Sequence, residues 1–126
     1  MKKLLAVAAF GEAATGLVLL VGPWIVVRLL FSAEIVGAGV VMSRITGISL
    51  IALGLACWPG RDTSGSALPL FGMFTYSSFA TLYLAYLGIS SEWVGGLLWP
   101  AVVVHATLTF LLARAWHKDQ RAKGKA

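Results

Sequence analysis

The sequence is poor in charge. Only 12% of its 126 residues are Asp, Glu, Lys or Arg, and 59% are hydrophobic. An ordinary soluble domain carries about 25% charged and about 45–50% apolar residues. A soluble chain this short has no interior large enough to hide so much apolar surface, so lipid is the solvent that fits. There is one cysteine, Cys57. That excludes an intramolecular disulfide, and the lack of any CxxC or Cys/His pattern excludes a zinc site of that kind. Cys57 reads as a small buried apolar residue. No HExxH, phosphate loop or workable Ser/His/Asp set is present. His105 and His117 lie about three helical turns apart and cannot share a metal from one helix face. No catalytic residue, metal or cofactor is expected, and the chain reads as non-enzymatic. The basic residues come without stacking or base-reading partners, which argues against nucleic acid.

What is present in quantity is long apolar runs. A membrane-spanning helix needs about 20 predominantly apolar residues, and four stretches qualify, 4–21, 36–58, 68–88 and 94–116. The expected fold is all-α, a polytopic membrane protein built as a four-transmembrane-helix bundle over 1–116, with a frayed basic tail over 117–126. Gly22-Pro23 ends the first helix, since proline lacks a donor and clashes with the preceding turn. The segment 24–31, with Arg28 inside it, reads as a short interfacial piece. Ser32-Ala33-Glu34 resembles a helix start. A polar loop spans 59–66, and Ser90-Ser91-Glu92 a second loop and cap.

Net charge is +5, with Lys2 and Lys3 at one end and Arg114, Lys118, Arg121, Lys123 and Lys125 near the other. An even number of spans places both termini on one side, and the positive-inside rule puts that side in the cytoplasm, with Arg61. Basic ends also attract anionic membrane lipid. Trp24 and Trp93 at one boundary, and Trp58 and Trp116 at the other, fit an aromatic belt, to which Tyr83 and Tyr86 add. The localisation expected is a bacterial inner membrane. A secretory signal is the rival reading of the first segment; continuation of the apolar run through Val21, and Glu12 beside any cleavage site, count against it.

Each span brings a polar group to a similar depth: Glu12, Arg44, the group Thr75, Tyr76, Ser77 and Ser78, and His105. A charge at the centre of a spanning helix costs about 2.5–3.5 kcal/mol, and turning the groups inward is the cheapest arrangement. Glu12 and Arg44, offset by about 6 Å in depth, are expected to pair, with Tyr76, Ser77 and His105 completing the hydrogen bonds. Ala8, Ala9, Thr15 and Gly16 share the Glu12 face; Gly39, Ser43 and Gly47 form a small-residue ridge near Arg44; Gly72, Tyr76 and Ala80, and Ala101, His105, Thr109 and Ala113, form rows on the last two spans. Small residues let membrane helices approach closely. The competing view is that such polar contacts only lock helices together, at an average of about 0.6 kcal/mol each.

The stretch from Ser43-Arg44-Ile45-Thr46-Gly47 through Leu53-Gly54-Leu55-Ala56-Cys57-Trp58, with a glutamate in the first helix and Gly-Pro after it, resembles small bacterial four-helix membrane proteins of the broad DoxX-like type. The resemblance covers most of the chain as layout. It implies a small membrane component, in some relatives a subunit of quinone-linked redox complexes, and carries over no catalytic residue. Three functions are consistent with these readings: an accessory or small-ligand-binding component, taking an apolar or quinone-like ligand or sitting in a larger complex or homo-oligomer; a transporter or proton-coupled carrier using Glu12, Arg44 and His105; and a membrane enzyme for a lipid or quinone-like substrate with Tyr76 and His105 as acid and base.

Overall fold

A computed structural model describes residues 2–58, 68–90 and 94–124, in which the regular structure is all helical. The elements are α1 (Lys2–Val21), α2 (Pro23–Phe31), α3 (Ala38–Ala56), α4 (Leu68–Ser90) and α5 (Leu98–Lys123). Four of them, α1, α3, α4 and α5, are long and apolar enough to cross a membrane, which makes this a multi-pass membrane protein. The expected loop at 59–66, and Ser91, Glu92 and Trp93, lie outside the described residues.

The chain is turned inside out relative to a soluble bundle. Phe10, Phe79, Leu82, Ile89 and Phe110 are each more than 60% exposed, whereas Ala8, Ala9, Gly16, Gly47 and Gly54 are buried. Lipid tails are as apolar as leucine, so large aliphatics gain little by turning inward, and close packing of small residues joins the helices.

Local chemistry sets the breaks. Pro23 occupies the first turn of α2, where its missing N–H leaves no bond unmade. Ser32 does not start a helix, as the sequence suggested; it ends one. Its φ of 51° is left-handed and its N–H bonds the Arg28 carbonyl, which closes α2 from behind. The next helix waits until Ala38, after Gly37 at φ 56°, a conformation that glycine adopts without steric cost. The tail expected after Trp116 is also helical: α5 continues to Lys123, through Ala, Lys, Gln and Arg, all good helix formers.

The helices pack as two antiparallel pairs, α1 with α3 and α4 with α5. The pairs meet where α1 leans on α4 and α5. At one end α2 lies against α1, α3 and α5. There the N–H groups of Gly95 and Leu97 donate to the carbonyls of Leu30 and Leu29, at 2.8 and 2.9 Å. At the other end, which carries both chain termini, Ala8, Ala9, Cys57, Leu70, Met73 and Leu112 form a shared apolar core. Cys57 is 2% exposed, and its thiol donates to the Pro69 carbonyl at 3.4 Å, tying the end of α3 to the start of α4.

Candidate functional site

Above that apolar core sits a polar layer. Glu12 lies one helical turn beyond Ala8 and Ala9 on the same face of α1 and is 5% exposed. Tyr76 follows Met73 by three residues on α4, and His105 precedes Leu112 by two turns on α5. The three side chains converge. The His105 Nδ1 approaches the Glu12 Oε1 to 3.9 Å, within ion-pair range but beyond a hydrogen bond. The Tyr76 hydroxyl lies within hydrogen-bonding reach of the Glu12 carboxyl. The Tyr76 and His105 rings meet edge to face, centroids 5.9 Å apart. Each group comes from a different helix, and the cluster straddles the contact between the two helix pairs.

Arg44 is not part of it. The side chain is exposed, and the Glu12–Arg44 pair expected from the sequence does not form. The reason is helix register. Gly47 packs against the backbone of Gly16 and Leu20, and Gly54 against that of Ala9 and Ala13. Glu12 is therefore level with α3 residues near Leu53, and Arg44 stands about nine residues, or ~13 Å, further along the axis. That height is the end of α1 near Val21, where a long cationic side chain can run along the helix and place its charge at the headgroup level. The expected offset of about 6 Å assumed spans centred alike. The glycine contacts slide α3 instead.

Ser77 belongs to the buried face of α4 and is fully enclosed. Its hydroxyl has no hydrogen-bond partner, and neither has the His105 Nδ1 or the hydroxyl of Thr109, one turn along α5 from His105. Ser78, by contrast, turns its hydroxyl back to the Phe74 carbonyl, and Thr81 to that of Ser77, as is common for hydroxyls inside helices. Thr15, expected on the Glu12 face, is exposed. Thr109 was legible only as a row-mate of His105, with nothing in the sequence marking it as unpaired.

The surface of α4 one turn before Tyr76 is open. A Cβ on Gly72, one turn before Tyr76, would meet nothing within 4 Å, although Gly72 is only half-exposed. Glu12, His105 and Tyr76 thus bring a carboxyl, an imidazole and a phenol together, and the unpartnered hydroxyls of Ser77 and Thr109 lie on the same two helices as Tyr76 and His105. Among the described residues no group of three or more His, Cys, Asp or Glu is placed to hold a metal ion. No protein-family model, curated protein or solved structure matches the chain.

Proposed function

We propose that this protein is a non-enzymatic small-ligand-binding component of a bacterial inner membrane, with its binding centre at Glu12, Tyr76 and His105. The observation that carries this reading is the set of buried polar atoms without partners, the Ser77 hydroxyl, the His105 Nδ1 and the Thr109 hydroxyl, on the two helices that bring Tyr76 and His105 to Glu12. Buried polar groups are almost always hydrogen-bonded, and leaving one unmade costs about 1–3 kcal/mol. A bound molecule that completes these bonds supplies the missing stabilisation. Helices locked by polar contacts alone would gain nothing from leaving several such groups open. Membership of a larger complex or a homo-oligomer, as the DoxX-like layout implies, is compatible with this role.

The test is native mass spectrometry of the full chain extracted in a mild detergent. Wild type is expected to carry a discrete small adduct that His105→Ala loses while remaining helical. Identical bare masses for both proteins would overturn the reading. The same proposal sets both termini in the cytoplasm, from the basic residues at either end; reporters fused at Lys3 and Ala126 should both read cytoplasmic, and a periplasmic signal from either would refute that topology.

A second reading, a proton-coupled carrier, is favoured by one observation. Glu12 and His105 stand on opposite sides of the contact between the two helix pairs, so rocking one pair against the other would open or close the gap between them. Proton flux into liposomes driven by a candidate solute separates a carrier from a binding component.

A further inference from the structure

Charge, rather than shape, identifies the ligand. Glu12 is 5% exposed and sits in the middle of a span, where an uncompensated carboxylate is costly. The compensation expected from the sequence is missing, because Arg44 stands ~13 Å away along the helix axis and is exposed. Arg114, the next basic residue on α5, is nine positions from His105 and also exposed, again about 13 Å along the axis. No permanent cation of the described residues enters the layer. The one basic group that does, His105, faces Glu12 across 3.9 Å without a hydrogen bond.

The hydrogen-bond inventory points the same way. An ionised carboxylate only accepts, and a neutral imidazole has one accepting nitrogen. The free hydroxyls of Ser77 and Thr109 can each accept as well as donate. The layer therefore holds several acceptors, a negative charge when Glu12 is ionised, and the Tyr76 ring, whose face attracts cations. A primary ammonium group is the complement: three donors, no acceptor and a single positive charge. A quinone or another carbonyl ligand only accepts, so it could bond the hydroxyls but not an ionised Glu12. The open surface at Gly72 gives an alkyl chain a place to lie against α4 on the lipid side.

We propose that the Glu12–Tyr76–His105 layer binds a small alkylammonium ion, with the Glu12 carboxylate as its counter-ion and the open surface of α4 at Gly72 as the seat of its alkyl chain. This rests on the ligand-binding reading above and names the ligand's class. With Glu12 protonated in the empty site, binding is an exchange of a proton for an ammonium ion. When the ammonium enters, that proton leaves to water and one positive charge replaces another.

The test uses the purified full chain in detergent, with n-butylammonium chloride as the probe and n-butanol and sodium chloride as controls, over pH 5 to 8. Butylammonium should raise the wild-type melting temperature by roughly 5 °C or more at saturation and release about one proton per chain in weak buffer, whereas neither control does so. Its affinity should rise with pH, because proton and cation compete for one carboxylate. Glu12→Gln should abolish both the shift and the proton release. Arg44→Gln should keep both, and Gly72→Leu should weaken the shift at least tenfold in concentration. If Glu12→Gln fails to fold, Gly72→Leu and Tyr76→Phe carry the comparison. An equal shift in Glu12→Gln, a pH response of wild type that butylammonium leaves unchanged, or a Glu12-dependent shift with butanol alone would each overturn the ammonium assignment. The last of these would leave the binding reading standing, and that reading fails separately if wild type purifies without any adduct.

Discussion

Gly16 and Gly47 touch backbone to backbone: a Cβ on Gly16 would fall 2.5 Å from the Gly47 carbonyl oxygen, and one on Gly47 would fall 2.6 Å from that of Gly16. The contact is reciprocal and repeats seven residues on, where a Cβ on Gly54 would fall 2.6 Å from the Ala9 carbonyl oxygen. These are rigid backbone neighbours that no rotamer change can move aside. Two such points fix both the distance and the register of α1 and α3, and hence the height at which Glu12 enters the bundle.

Gly16→Ala and Gly47→Ala should therefore each force the α1–α3 pair apart. Overpacking a close contact costs about 1–3 kcal/mol, and each variant should unfold earlier than wild type in detergent by that amount. Tolerance of alanine at both positions would mean that α1 and α3 are free to slide.

Gly72→Ala is the internal control. The added methyl would meet nothing within 4 Å, and a helical glycine costs about 0.8–1.0 kcal/mol relative to alanine. Thermal unfolding should show Gly72→Ala as stable as wild type or more stable by up to about 1 kcal/mol. A clear loss of stability would place an atom against the open surface at Gly72.

Gly95→Ala tests the junction of α2 with the approach to α5. A Cβ there would run into the Leu29 carbonyl oxygen and the Leu30 carbonyl carbon. The bond from Gly95 to Leu30 and that from Leu97 to Leu29 should both weaken. Amide exchange at Gly95 and Leu97 should speed up well before exchange in α1. Unchanged protection at both amides would show that α2 docks by its side chains alone.

The four spans were legible because twenty-residue apolar runs leave a chain few alternatives. The depth of Glu12, Tyr76 and His105 was legible for the same reason, since rise per residue converts position into height. What was not legible was the sliding of α3. Hydropathy centres each span on the bilayer, but glycine contacts decide where two helices touch, and they moved Arg44 away from Glu12. Small residues were visible around Arg44 at Gly39, Ser43 and Gly47, yet which of them would meet α1 depends on a partner that no single helix encodes. Ser32 misled for a similar reason. A serine between two apolar segments can cap the start of one helix or end another, and only the left-handed backbone at Ser32 separates the two.

The partner of Glu12 can be decided energetically. Residues in contact show coupling of about 0.5–3 kcal/mol, whereas substitutions more than about 7–10 Å apart add within roughly 0.3–0.5 kcal/mol. Glu12→Gln keeps a side chain that the Tyr76 hydroxyl can still bond, and His105→Gln keeps a donor and an acceptor, so neither substitution opens a large cavity. Combined, they should depart from additivity by at least about 0.5 kcal/mol, because the 3.9 Å approach of His105 to Glu12 disappears with either one. Glu12→Gln combined with Arg44→Gln should be additive, since those side chains are separated by most of the height between the layer and the end of α1. Tyr76→Phe should cost about 1–3 kcal/mol alone and less in the Glu12→Gln background, where an amide replaces the carboxyl. All of these are unfolding free energies from the same denaturant titration in detergent. Strong coupling of Glu12 to Arg44 with none to His105 would contradict the register fixed by Gly16 and Gly47, and with it the layer on which the ligand proposal depends.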